Sequence, residues 1–244
     1  MQELRVGQDD RAYLAHRLAQ PSITGAQRLE QGLAQGGHFL PIGGEGIEIA
    51  RRSHRPNLPW TFTVVDSPAI NAFALPGGYI YVTRGLMAYL DDEAELAGVL
   101  GHEIGHVTAR HAAQSYTRQA QASVGLTILS ILVPSTRPFT DLGATGLSVL
   151  FLKNGREQEL EADRLGVEYA ADSGYDPSGV PRMLNTLTRI DKLSERGVPN
   201  WLSTHPASET RVEQAAPLAA KFDSAAAKTI NRDAYLERIN GLVF

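Results

Sequence analysis

Residues 95–111 read ELAGVLGHEIGHVTARH. Leu96, Val99, Leu100, Ile104 and Val107 recur at helical spacing, so the segment predicts an α-helix with one apolar face. Asp92 followed by Glu95 has the form of a capping box with Asp in the N-cap place, which predicts a helix from about Glu93 to Gln114. Inside it lies His102-Glu103-Ile104-Gly105-His106. Residues four apart on a helix share a face, so both imidazoles can reach a single ion. Zinc takes neutral imidazole nitrogen at about 2.0–2.1 Å, and a helix holds two such ligands with little freedom left to lose. Glu103 is turned about 100° from His102, beside such an ion rather than on it. A carboxylate there can take a proton from zinc-bound water.

A pair of histidines on a helix is equally compatible with core or surface residues, so the metal reading needs a third ligand. Arg156 to Asp163 reads REQELEAD, on a second predicted helix of about Arg156 to Ser173 ended by Gly174. Glu159 and Asp163 are four apart and share a face, with Arg156 and Gly166 on the same side. If Glu159 ligates zinc, Asp163 can accept a hydrogen bond from the free ring nitrogen of a ligand His and fix its tautomer. The alternative is a solvated acidic face, the reading given to Glu157 and Glu161. Two His and one carboxylate leave the fourth tetrahedral position for water, as catalytic rather than structural zinc requires. Bound water then has a pKa near 7, and the metal polarises a substrate carbonyl. The pattern with these roles is a metalloprotease signature, so one Zn2+ per chain and peptide-bond hydrolysis are expected.

Around these helices the chain reads as mainly α with a small β-sheet, an α+β fold. Helix-forming residues run from Asp9 to Gln35 with a break at Pro21. A Gly-rich stretch (Gly36, Gly37, Gly43, Gly44) precedes a helical candidate ending near His54. Trp60 to Asp66 is rich in β-branched and aromatic residues, and Asn71–Leu75 and Tyr79–Thr83 flank Pro76-Gly77-Gly78, the chemistry of a type II turn. A hairpin packed on the first strand is expected, with Thr83 capping a short helix through Leu90. Asp176-Pro177 opens another helix, Pro206 precedes a penultimate one, and a last short helix is expected at Asn231–Asn240. With no internal repeat or long linker, residues 1–244 are expected to form a single domain. Its core would span about 60–211, with helices of 1–59 and 212–244 packed on it.

Composition narrows the classes of function. A net charge of −4 lacks the basic footprint of a nucleic-acid binder, so no nucleic-acid partner is expected. The absence of cysteine excludes a disulfide framework, a thiolate nucleophile and Cys-ligated zinc. The start, Met1 to Arg5, has neither the basic nor the apolar region of a signal peptide, so the chain is either cytosolic or has been given without a leader. The longest apolar stretch, Val124–Val133, is shorter than the about 20 residues that span a bilayer, and a soluble form is expected.

Four runs in order, NAFALPGGYIYVTRGL, ELAGVLGHEIGHVTARH, REQELEADRLG and THPASETR, resemble family forty-eight of the metallopeptidases over about Trp60 to Arg211. That family includes the CAAX prenyl protease, HtpX and mitochondrial Oma-type proteases, and the likeness points to its soluble bacterial envelope branch, that of BepA and LoiP. The resemblance implies a gluzincin fold with His102, His106 and Glu159 as ligands, Glu103 as base and Asp163 behind the ligands. It also implies a polypeptide substrate added as a strand along Asn71, Ala72, Phe73 and Ala74; main-chain pairing reads an extended peptide with little regard for sequence. Asn71 would otherwise be a turn residue near Pro68. His205 and Arg211 match the family's late His and Arg, with an expected role near the developing oxyanion. His205 would alternatively fill the open zinc position in a self-inhibited state or lie on a mere surface loop of Trp201 to Pro206, and Arg211 would alternatively pair with Glu159 or Asp163. His111, five residues past His106, would face elsewhere on a continuous helix and reads as structural. His16, His38 and His54 read as surface residues.

Against parts of the family, neither transmembrane helices nor a tetratricopeptide tail after Arg211 is expected. The apolar Ala122–Leu152 segment reads as a helical hairpin at the cleft, with contact to a membrane or to envelope complexes as the other use. The expected activity is an endopeptidase on unfolded or misassembled envelope proteins, in the periplasm or cell envelope. Two rivals stand beside it: a non-hydrolytic, zinc-stabilised chaperone for extended polypeptides, and a cytosolic aminopeptidase with the same zinc chemistry.

Overall fold

A computed structural model describes residues 41–118, 154–193, 201, 204–206, 209–222 and 229–243. The helices expected at 9–35 and the hairpin expected at 122–152 lie outside the described residues. In chain order the elements are α1 (Pro41–Arg51), β1 (Thr61–Val65), β2 (Ala72–Leu75), β3 (Tyr79–Thr83) and α2 (Arg84–Met87). They continue with α3 (Glu93–Thr108), α4 (Arg156–Asp172), α5 (Gly179–Leu193), α6 (Glu209–Lys221) and α7 (Arg232–Val243). The fold is mainly helical with one small sheet, as the sequence predicts.

The three strands lie in the order β1-β3-β2. β2 and β3 form the expected antiparallel hairpin, Leu75 opposite Tyr79 and Ala72 opposite Val82. Gly77 and Gly78 take φ of 102° and 101° in its turn, conformations closed to most side chains. β1 pairs in parallel with β3, Thr61 opposite Tyr79, which leaves β2 at the edge. Thr83 ends the sheet and caps α2 by accepting from the Leu86 backbone N–H at 3.2 Å. The helix stops at Met87 rather than Leu90. Gly43 and Gly44, expected to precede the helix, lie within α1.

α3 is the central element, buried from Glu93 through Val107. Asp92 caps it, accepting from Glu95 N–H at 2.9 Å. Glu95 returns the bond to the Asp91 N–H at 3.0 Å, one residue outside the usual capping box. Around α3 pack α1, the sheet, α4 and α5. α5 turns Val180, Met183, Leu184 and Leu187 inward at helical spacing. The buried apolar cluster is continuous from Ile42 in α1 to Ile239 in α7. Among the described residues no helix is long and apolar enough to cross a membrane.

One feature of α3 departs from expectation. The helix ends at Thr108, with Ala109 as C-cap, and Arg110 takes φ 59° before residues 111–118 turn helical again. A left-handed arginine carries no Gly or Asn signature, so continuity to Gln114 was the natural reading. The break redirects His111.

Candidate active site

α3 and α4 cross where each carries glycine, Gly101 against Gly166, so their backbones approach without side chains between them. That crossing brings His102 and His106 of α3 together with Glu159 and Asp163 of α4. His102 Nε2 and His106 Nε2 lie 3.0 Å apart. Glu159 Oε2 is 3.5 Å from the first and Glu159 Oε1 3.4 Å from the second. His205 Nδ1 completes the group, 3.2 Å from His102 Nε2 and 3.1 Å from Glu159 Oε1. All four side chains are buried.

Two ligands about 2.0–2.1 Å from a zinc ion at the tetrahedral angle stand about 3.3 Å apart. The donor separations of 3.0 to 3.5 Å bracket that edge, so the donors suit a tetrahedral cation in size as well as in type. Their ionisation suits it too. Burial pushes His106 down to about 3, leaving the neutral imidazole that a metal needs. Burial works against charge on Glu159, but the His205 charge and the hydrogen bonds of His106 and His205 outweigh it and hold the carboxyl well below its ordinary range.

The carboxylate of Asp163 lies 2.9 Å from His102 Nδ1, which leaves the Nε2 lone pair of His102 turned toward the other donors. Arg211 clamps Asp163 from behind with two bonds of 2.7 Å, Nε to Oδ2 and Nη2 to Oδ1. Its Nη1 is 2.9 Å from Glu159 Oε2. Burial opposes the charge on Asp163, and this guanidinium outweighs it and holds the carboxyl low. Arg211 is therefore placed behind the ligands, paired with Asp163 and Glu159, and is absent from the residues lining the cleft. Of the two readings of Arg211, the pairing with carboxylates is the one this geometry describes, a bidentate fork between two buried groups.

Glu103 is 1% exposed, and its Oε2 has no hydrogen-bond partner among the described residues. Its Oε1 accepts from Trp201 Nε1 at 3.4 Å and lies 3.6 Å from His205 Nε2. Trp201 also stacks on His205, centroids 4.8 Å apart, and sits under the Arg211 guanidinium at 5.2 Å. Its fully buried ring holds His205 against the donor group; nothing in the sequence beyond its being one of two tryptophans marked it.

The donors open onto a cleft of about 600 Å³ bounded by Glu103, His106 and His205 on one side and Phe73, Ala74 and Leu75 of β2 on another. Asn71 O accepts from Thr83 N–H at 2.9 Å. By the alternation of an antiparallel pair, Phe73 and Leu75 then bond to β3, while main-chain groups of Ala72 and Ala74 point away from it; Ala72 is fully buried, so of the two only Ala74 opens onto the cleft. Asn71 precedes the strand; its backbone is tied to Thr83, and its buried Oδ1 has no partner among the described residues. His54 is exposed, as read, with its Nδ1 2.8 Å from the Tyr169 hydroxyl. His111, read as structural and facing elsewhere, meets His106.

The chain matches the family described as Peptidase family M48 over residues 43–219. It is 37% identical over 165 residues to the "Mitochondrial metalloendopeptidase OMA1" of Arabidopsis thaliana, covering 66% of this chain and 32% of that one. It is 34% identical over 179 residues to the "Beta-barrel assembly-enhancing protease" of Escherichia coli (strain K12), covering 70% of this chain and 36% of that one. The "Metalloendopeptidase OMA1, mitochondrial" of Danio rerio is 34% identical over 166 residues, covering 64% and 35%. The chain thus spans about a third of the length of the curated relatives it matches. A match across most of the chain agrees with the donor geometry reached independently, and the chain belongs to peptidase family M48, a family of zinc-dependent metallopeptidases.

Proposed function

We propose that this chain is a zinc-dependent endopeptidase acting on unfolded or misassembled polypeptides. The observation that carries the proposal is one juxtaposition. His102, His106 and Glu159 stand at tetrahedral spacing, and the Oε2 of Glu103, without a partner among the described residues, lies beside them on a cleft walled by a sheet edge.

Zinc held by those three side chains would polarise a carbonyl and acidify water to a pKa near 7. Glu103 then takes the proton of the attacking water and passes it to the leaving amine, a contribution of roughly 10²–10⁴-fold. Ala74 at the β2 edge binds the substrate as an added strand, with Phe73 as a wall of the cleft, the buried Ala72 supporting the strand from within and Asn71 anchoring its start. Main-chain pairing asks for extended substrate, which is why unfolded chains are the fitting class. Asp163 and Arg211 hold His102 and Glu159 in place.

His205 occupies the fourth corner of the donor group. In the resting state it closes the site, and it must swing off, away from Trp201, before water and substrate enter. Released, it is free to donate toward the developing oxyanion. An envelope location is supported by the likeness to a protease of β-barrel assembly, since bacterial transmembrane barrels belong to the outer membrane.

The test is proteolysis of unfolded casein in the presence of zinc by the wild-type chain, Glu103→Gln and His205→Ala. Internal fragments from the wild type or from His205→Ala, lost in Glu103→Gln, are the expected result. Equal behaviour of all three overturns the peptidase assignment in favour of a non-hydrolytic binding protein. Single amino acids released from one end would indicate an aminopeptidase.

A further inference from the structure

We propose that His111 and Glu161 form a second positioning arm, one that sets the tautomer of His106 as Asp163 sets that of His102. This proposal rests on the zinc reading above and adds two residues to it. The arm exists because α3 breaks. With Arg110 at φ 59°, the chain doubles back and carries His111 Nδ1 to 2.8 Å from His106 Nδ1. His111 is 1% exposed, and its carbonyl accepts from Gln158 Nε2 at 3.4 Å, which ties the turn to α4. Its other ring nitrogen, Nε2, lies 3.2 Å from Glu161 Oε2. Glu161 is two residues from Glu159 on α4, its side chain 47% exposed.

Proton counting gives this chain of contacts a direction. Two neutral imidazoles with Nδ1 atoms 2.8 Å apart share one proton between those atoms. If it sits on His111, His106 carries its own proton on Nε2, which then points at the donor group and cannot offer a lone pair to a cation. If it sits on His106, His106 Nε2 is a free ligand and His111 is protonated on Nε2. A carboxylate at that end accepts the His111 Nε2 proton and so selects the second arrangement. Glu161 provides it. The two ligand histidines are thus each held from behind, His102 by the buried Asp163 and His106 by an imidazole relayed to a half-exposed carboxylate.

The experiment measures zinc affinity, by competition with a chromophoric chelator, for the full chain and for His111→Leu, His111→Asn and Glu161→Ala. Unfolding midpoints of the zinc-free proteins are recorded alongside. His111→Leu removes the acceptor and is expected to weaken zinc binding about 10–100-fold. His111→Asn keeps an oxygen near the place of Nδ1 and is expected to recover most of that loss, which a packing role alone would not predict. Glu161→Ala, on a half-exposed side chain, is expected to weaken binding at least about threefold with an unchanged zinc-free midpoint. Wild-type affinity in both His111→Leu and Glu161→Ala overturns the positioning role while leaving the zinc site standing. If His111→Leu does not fold, Glu161→Ala decides alone. A wild-type chain that takes up no zinc removes the site itself and this arm with it.

Discussion

A side chain on Gly166 would stand 3.0 Å from the backbone nitrogen of His102, and one on Gly101 would stand 2.9 Å from the carbonyl oxygen of Gly166. The two helices that carry the metal donors therefore touch backbone to backbone at the residue that begins the HExxH motif. The spacing of His102, His106 and Glu159 depends on that contact, because ligands from different helices share an ion only at one helix separation. Gly166→Val is expected to push α3 and α4 apart, destabilising the fold by about 1–3 kcal/mol and weakening zinc binding. Chemical denaturation and zinc titration of the same variant check both effects; a variant with wild-type zinc affinity would show that the crossing does not set the site.

Removal of Arg211 should be far more damaging than removal of an exposed arginine. It is 1% exposed and pairs with Asp163 and Glu159 at once. Arg211→Met leaves two buried carboxylates without their cation, a loss of about 3–5 kcal/mol by the usual magnitude for a broken buried pair. Arg211→Lys is expected to recover little, since an ammonium cannot reproduce the bidentate fork. Urea denaturation of the zinc-free chains measures this.

Much of this arrangement is readable from residue order because it is local. His102 and His106 are set by an i, i+4 spacing, Glu159 and Asp163 by another, and the hairpin by Pro76-Gly77-Gly78. What escapes is set by contacts distant in sequence or by strain. The left-handed conformation of Arg110 has no compositional mark, and without it His111 points away from His106 on a continuous helix. The parallel pairing of β1 with β3 depends on packing beneath the sheet. Trp201 reaches Glu103 across 98 positions, and Arg211 reaches Asp163 across 48.

The edge-strand proposal predicts a kinetic split. Ala74→Pro deletes an N–H that faces the open edge rather than β3, a change edge strands tolerate. Peptide hydrolysis should fall at least about tenfold in kcat/KM, roughly the worth of one main-chain hydrogen bond lost to bound substrate, with zinc content unchanged. Unaltered hydrolysis of casein and of short peptides would place the substrate elsewhere.

A pH effect is expected far from the cleft. Burial, and after it the charge of Glu93, push Glu45 up to about 8 from an ordinary 4.5, against the pull of Arg238. Between those values the folded chain holds a proton that the unfolded chain has released. The associated stability is present in full below about pH 4.5 and is lost as pH rises through about 8. Glu45→Gln should flatten that decline, on the order of a few kcal/mol at most. Denaturation midpoints at pH 5 and pH 9 for both proteins test it; an equal drop in the variant would assign the pH dependence to other groups.

The most direct measurement is zinc content per chain by elemental mass spectrometry after dialysis. The wild type and Glu103→Gln should each carry one zinc, because Glu103 stands beside the donors and not among them. Glu159→Ala and His106→Ala should carry little, with folded helical content retained. One full equivalent of zinc in Glu159→Ala, or none in a folded wild-type chain, would contradict the site described here.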